Sequence, residues 1–282
     1  MRVQKSNIDP TPTLYLVPTP IGNFDDMTFR SVEVLKSVDL IYCEDTRVTK
    51  VLLSHFNITT PLKSYHIFNE ANRCEEILKH LQNGMNIALV SDAGLPCISD
   101  PGFLISKYVI ENNYNVISLP GASASLTALI ASGLPNEKFY FNGFLNSKQS
   151  QRIKQLNALV DKEETLIIYE APHRIIETLK DIYEVFGNRN IVLARELTKK
   201  YEEYIRGTLE EIIASISELK GEIVLIIEGC KEKQEVIDLN KLTIKEHFEY
   251  YKSKNMSDND AMKQVAKDRN VSKNVIYKEI KC

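Results

Sequence analysis

Eight short apolar runs decide what this chain can fold into. They lie at 14–17, 38–42, 87–90, 116–119, 139–141, 166–169, 191–193 and 223–227, and amphipathic stretches separate most of them. Val32, Leu35 and Val38 share a face in one such stretch. Ile175, Ile176, Leu179 and Ile182 do so in another, and Leu209, Ile212, Ile213 and Ile216 in a third. A strand with apolar residues on both faces must be covered on both, and crossover helices between parallel strands do that. The alternation therefore predicts an α/β protein with largely parallel sheets. Eight or nine strands crowd a single open sheet, so two α/β domains of four to five strands each fit better. Their boundary is expected near Leu119 and Pro120, giving domains at 1–119 and 120–230.

A third piece follows at 231–282. Residues 231–240 are polar and read as a linker, and helical patterns come after it at 244–251, 260–267 and 272–280. The last two, with Ser272 as the expected cap of the final helix, suggest a small helix-turn-helix-like module. Lys and Arg outnumber Asp and Glu there by 3, whereas residues 1–230 carry a net charge of −6. A mildly basic module on an acidic body is compatible with RNA contact, and equally with a solvated packing element.

Composition removes other classes. With 43% apolar and 26% charged residues the chain is neither fibrous nor disordered. No apolar run approaches the roughly 18 residues that cross a bilayer. The first twelve residues are polar and the five cysteines are scattered, so a cytoplasmic protein without disulfides or membrane contact is expected. The five histidines show no ligand spacing, and no metal site is expected. GxxxxGK[ST], GxGxxG, GxSxG and HExxH are all missing, which speaks against P-loop NTPases, standard dinucleotide folds, α/β-hydrolases and zincins.

What the chain has instead is six loops rich in Gly, Pro and charge, each directly after an apolar run. In open α/β sheets the ligand crevice lies at the carboxyl ends of strands. The first loop is PTPIGN (Pro18 to Asn23), and the second is EDTR (Glu44 to Arg47), where Asp45 or Thr46 could simply cap the next helix. The third, SDAGLPCISDPG (Ser91 to Gly102), can hold a ligand by main-chain groups, with Gly94 permitting close approach. Asp100-Pro101 reads as a helix cap followed by a first-turn proline, while Asp92 has no evident capping role. PGASAS (Pro120 to Ser125), EAPHR (Glu170 to Arg174) and ARELTK (Ala194 to Lys199) complete the series.

Taken together these motifs resemble the ribosomal RNA small subunit methyltransferase I family, within the tetrapyrrole-methylase-like superfamily, over nearly the whole chain. The resemblance implies two α/β domains with S-adenosylmethionine (SAM) in the cleft between them, a C-terminal helical module, and a homodimer. It implies 2′-O-methylation of a cytidine ribose in the decoding region of 16S rRNA, in the small ribosomal subunit. By the family pattern the cofactor falls to Asp92, Ala93, Gly94, Leu95, Ile98 and Ser99, then to Ser123 and Ala124, with Tyr169 and Ala194 from the second domain and Pro20 lining the cleft. Leu95 stands where the family pattern has Thr.

A ribose hydroxyl is a weak nucleophile and needs a base or a polarising partner. Asp45 or Glu170 is the expected partner, with Arg47 and Arg174 gripping phosphate through bidentate forks. The same four residues also read as a structural salt-bridge network across the cleft. Two other functions stay open from sequence: a tetrapyrrole methylase of the same fold, and a non-enzymatic RNA-binding assembly factor.

Overall fold

The computed structural model describes residues 3–6, 8, 10–66, 70–231, 239, 242–253 and 256–281. In chain order the first half runs β1 (Thr13–Leu16), α1 (Phe29–Ser37), β2 (Leu40–Cys43), α2 (Thr46–His55), β3 (Leu62–Ser64), α3 (Glu70–Gln82), β4 (Ile87–Val90), α4 (Phe103–Glu111) and β5 (Asn115–Ser118). Its five strands form one sheet in the order β3-β2-β4-β1-β5, parallel at every pairing. Strand side chains alternate between faces, and β4 shows why its run is wholly apolar. Ile87 and Leu89 pack with Ile77, Leu81 and Ile105 on one side, whereas Ala88 and Val90 pack with Leu35 and Leu53 on the other.

The second half continues with α5 (Ala124–Ser132), β6 (Phe139–Phe144), α6 (Gln149–Asn157), β7 (Thr165–Glu170), α7 (Ile175–Phe186), β8 (Asn190–Arg195), β9 (Glu203–Thr208), α8 (Leu209–Ser215) and β10 (Ile223–Ile227). The strand order is β6-β7-β10-β8-β9. Ile223, Leu225 and Ile227 face Leu156, Leu179 and Leu209. Val224 and Ile226 face Ala128 and Leu129 of α5, together with Ile21 from the far half of the chain.

This sheet corrects the expectation of largely parallel strands. Only the β6–β7 pairing is parallel; β10 is antiparallel to both β7 and β8, and β9 is antiparallel to β8. The segment between β8 and β9 is too short for a parallel crossover, which needs a dozen residues or more. For β10 the sequence holds no direction signal, because a strand buried on both faces is apolar whichever way it runs.

The chain divides into two compact units, Met1–Gly229 and Cys230–Cys282, and both sheets belong to the first. The second unit holds α9 (Ile244–Ser253), α10 (Asp258–Asp268) and α11 (Lys273–Lys281) around Phe248, Val265 and Ile276. Ser257 Oγ accepts from Asp260 N and caps α10. The linker expected over 231–240 lies outside the described residues, apart from Lys231 and Leu239. Among the described residues no helix is long and apolar enough to cross a membrane.

Candidate active site

A cavity of about 640 Å³ lies between the two sheets, where β4, β7 and β8 end and β10 begins. One wall is the loop 91–102, and its shape comes from fastenings at both ends. Thr19 and Gly94 exchange two main-chain hydrogen bonds of 3.0 Å. Ser91 Oγ donates to Gly94 O, and Thr19 Oγ1 donates to Ser91 O. At the other end the buried carboxylate of Glu70 accepts from Gly102 N (3.1 Å) and from the Tyr65 hydroxyl (2.6 Å). Between these anchors Cys97 and Ser99 take left-handed φ of 71° and 63°, a conformation that costs a non-glycine residue about 1–2 kcal/mol.

Ala93, Gly94, Leu95, Ile98, Ser99, Ser123, Ala124 and Tyr169 all line the cavity, as does Glu170. Three residues singled out in the sequence do not. Pro20 is buried between Thr19 and Ile21. Ala194 is fully buried opposite Val224 in the sheet. Asp92 turns toward the first half, where its Oδ1 accepts from Asp45 N (3.1 Å). The role of Gly94 also changes. Its main-chain N–H and C=O are both used by Thr19, and at φ 82° a Cβ would meet Ile21 Cγ2 at 3.3 Å. The close approach it permits is that of the chain's own 18–22 segment.

The carboxylate–arginine pairs form locally and do not bridge the cleft. Asp45 caps α2, accepting from Arg47 N (2.8 Å), and pairs with the exposed Arg47 guanidinium at 2.6 Å. Hydrogen bonds from Arg47 hold this carboxyl down at about 2, where it is a poor proton acceptor. Glu170 has no exposed side-chain surface. Its oxygens accept from Ala171 N (2.6 Å), Arg174 Nε (2.5 Å) and Thr178 Oγ1 (2.7 Å). Arg174 also donates to Leu145 O. This pair braces the turn into α7 and leaves Arg47 as the exposed guanidinium of the four residues.

Sequence reasoning missed Asp100 and the far wall. The expected cap at Asp100 is not formed: α4 begins at Phe103, and the position before it is Gly102, at φ 137° and with no side-chain cap bond. Asp100 instead lines the cavity, and burial, followed by the charges of Glu44 and Asp92, pushes its carboxyl up to about 6. Burial likewise raises Glu44 and Asp92. On the far wall Lys199 Nζ donates to Glu196 and Glu222, both at 3.0 Å. ARELTK marked the region, but the left-handed Glu196 (φ 51°) and Thr198 (φ 65°) turn it back toward the cleft. Gly221 to Val224 carried no such mark, because the antiparallel β10 brings the start of a strand to the cavity and a parallel one would bring its end.

Residues 13–213 match the model of the tetrapyrrole (corrin/porphyrin) methylases. The ribosomal RNA small subunit methyltransferase I of Bacillus subtilis (strain 168) is 51% identical over 94% of this chain and 92% of its own length. A crystal structure of diphthine synthase shares the fold at 14% identity, with a TM-score of 0.60 over 77% of this chain and 90% of that one. So does a uroporphyrin-III C-methyltransferase from Thermus thermophilus complexed with S-adenosyl homocysteine, at 18% identity and TM-score 0.53 over 77% and 97%. The chain belongs to the tetrapyrrole methylases and, within them, to the ribosomal RNA small subunit methyltransferase I family.

Proposed function

We propose that this protein methylates the small-subunit ribosomal RNA, placing a methyl group from SAM on the ribose 2′-oxygen of a cytidine in the 16S decoding region. It acts in the cytoplasm as a homodimer, and its three parts are 1–119, 120–230 and 231–282. The observation that carries the reading is 51% identity across 94% of the chain to a relative named for small-subunit rRNA methylation. The basic surplus of 231–282 supports an RNA substrate.

The cavity suits the donor. Its volume falls in the usual range for small-molecule sites, roughly 300–1,000 Å³. Ile21, Leu95, Ile98 and Val224 offer apolar surface beside the polar groups of Ser99 and Ser123. Ala93, Leu95, Ile98, Ser99, Ser123 and Ala124 would hold the donor, with Tyr169 facing them from the second sheet. When bound, SAM supplies a methyl carbon activated by a positively charged sulfur. The residues of the chain enclose it, exclude water and align the acceptor oxygen, and alignment alone contributes heavily to such transfers. The exposure of Arg47 supports contact with an RNA phosphate.

Ribose-methylation mapping of 16S rRNA with and without the protein tests the reading. A single new 2′-O-methylcytidine in the decoding region is expected. An unchanged rRNA with a methylated corrin precursor points to the tetrapyrrole reaction instead, and RNA binding without SAM binding points to an assembly factor.

A further inference from the structure

We propose that Asp100 receives the proton of the ribose 2′-hydroxyl during methyl transfer; the assignment rests on the rRNA reading above. Four carboxylates line the cavity: Asp100, Glu170, Glu196 and Glu222. Three are already engaged. Glu170 is closed in by Ala171, Arg174 and Thr178, while Glu196 and Glu222 share Lys199. Asp100 is the one whose carboxylate meets no hydrogen-bond donor among the described residues. Half-buried and acceptor-only, it carries lone pairs that only a ligand or water can satisfy.

Its position is nevertheless fixed. The loop is clamped at Thr19–Gly94 and at Gly102–Glu70, and Ser99 before it sits in a left-handed turn. A Cβ on Gly143 of β6 would stand 3.3 Å from Ser99 Oγ, so this point of the loop lies where the two sheets meet. The backbone thus presents Asp100 to the cavity without spending the side chain on its own support. Burial, and after it the negative charges of Glu44 and Asp92, favours uptake of a proton there and pushes the carboxyl up to about 6, close to the working range of a general base. Asp45, held near 2 by Arg47, lacks that driving force.

In the step itself the ribose oxygen forms its bond to the methyl carbon as the carbon–sulfur bond breaks. That electron pair stays on sulfur, which becomes neutral. The hydroxyl proton passes to an Asp100 oxygen, and from there to solvent once the products leave.

The test compares Asp100→Asn and Asp100→Glu with wild type on small-subunit rRNA. Calorimetry should give both variants near-wild-type SAM affinity, and RNA affinity should not change. Single-turnover methylation by Asp100→Asn should fall by about 10²–10⁴-fold, with partial rescue in Asp100→Glu. The wild-type rate should rise with pH through a limb near 6 that Asp100→Asn lacks. Glu44 and Asp92 bear on the same group through their charge, and Glu44→Ala and Asp92→Asn should lower that limb without removing it; Cys97 and Tyr169 also face it but are uncharged near pH 6. A near-normal rate in Asp100→Asn overturns the assignment. So does a collapse of SAM affinity, which would make Asp100 a contact for the donor's ammonium group. A wild-type protein that leaves 16S rRNA unmethylated overturns the rRNA reading itself, a result separable from any variant's behaviour.

Discussion

The turn after β7 surrounds the Glu170 carboxylate with donors, whereas the loop after β4 leaves Asp100 with none among the described residues. Both segments cross from a strand end into a helix beside the same cavity. One is made rigid by a side chain turned inward, so its acid is structural. The other is made rigid by main-chain fastenings and left-handed residues, so its acid remains available. The number of acids near a cleft therefore says little. What supports each of them decides its role.

The largest break in this contrast comes from Glu170→Ala. It strands Arg174 and Thr178 in a closed site, and removing one partner of a buried ion pair costs about 3 kcal/mol or more. Urea unfolding should show that loss; one below about 1 kcal/mol would mean that Glu170 is not the brace described here.

Gly94→Val probes the main-chain fastening. A β-branched residue at φ 82°, with Ile21 Cγ2 at 3.3 Å, should cost about 2 kcal/mol from backbone and crowding together. It should also weaken SAM binding by displacing the 91–102 loop. Unchanged stability and affinity would show that the loop tolerates movement at its anchor.

Asp100→Asn should act in the opposite direction. A carboxyl raised from 3.8 to about 6 binds its proton more tightly folded than unfolded. Its ionised form therefore costs stability, nothing below pH 3.8 and the full amount above about 6. Replacing it should stabilise the protein by about 1 kcal/mol at neutral pH, after allowance for solvent screening of a half-exposed group, and not at all in acid. A pH series of melting curves checks the crossover, and a variant destabilised at pH 7 would show that Asp100 has a structural partner.

The same contrast explains what the sequence could reveal. Strands covered on both sides, such as β4 and β10, announced themselves as continuous apolar runs. Among the four edge strands, Asn115–Ser118 and Phe139–Phe144 overlap apolar runs, whereas Leu62–Ser64, three half-buried residues, and Glu203–Thr208, largely polar, carried no such signal. Loop positions such as Ala93 to Ser99 were legible as motif, but the use made of them was not. Asp100 looked like a cap because a proline follows it, and only the left-handed geometry at Ser99 and Gly102 frees it from that duty. Glu222 was invisible because its place depends on the direction of β10.

Strand order also governs how the protein emerges from the ribosome. β1 is made first yet lies between β4 and β5, pairing through Leu14 with Ile87 and Val116. At roughly 5–20 residues per second it waits on the order of 4–15 s for its first neighbour. The second sheet delays further, since β10, the last strand synthesised, is the one that joins β7 to β8. Ile223 and Val224 of that strand are also cavity wall. A nascent chain that stalls before residue 223 is therefore left with a split sheet, an exposed apolar slot and a pocket lacking the Ile223–Val224 part of its wall. Closure of the sheet and completion of the pocket arrive with the same few residues.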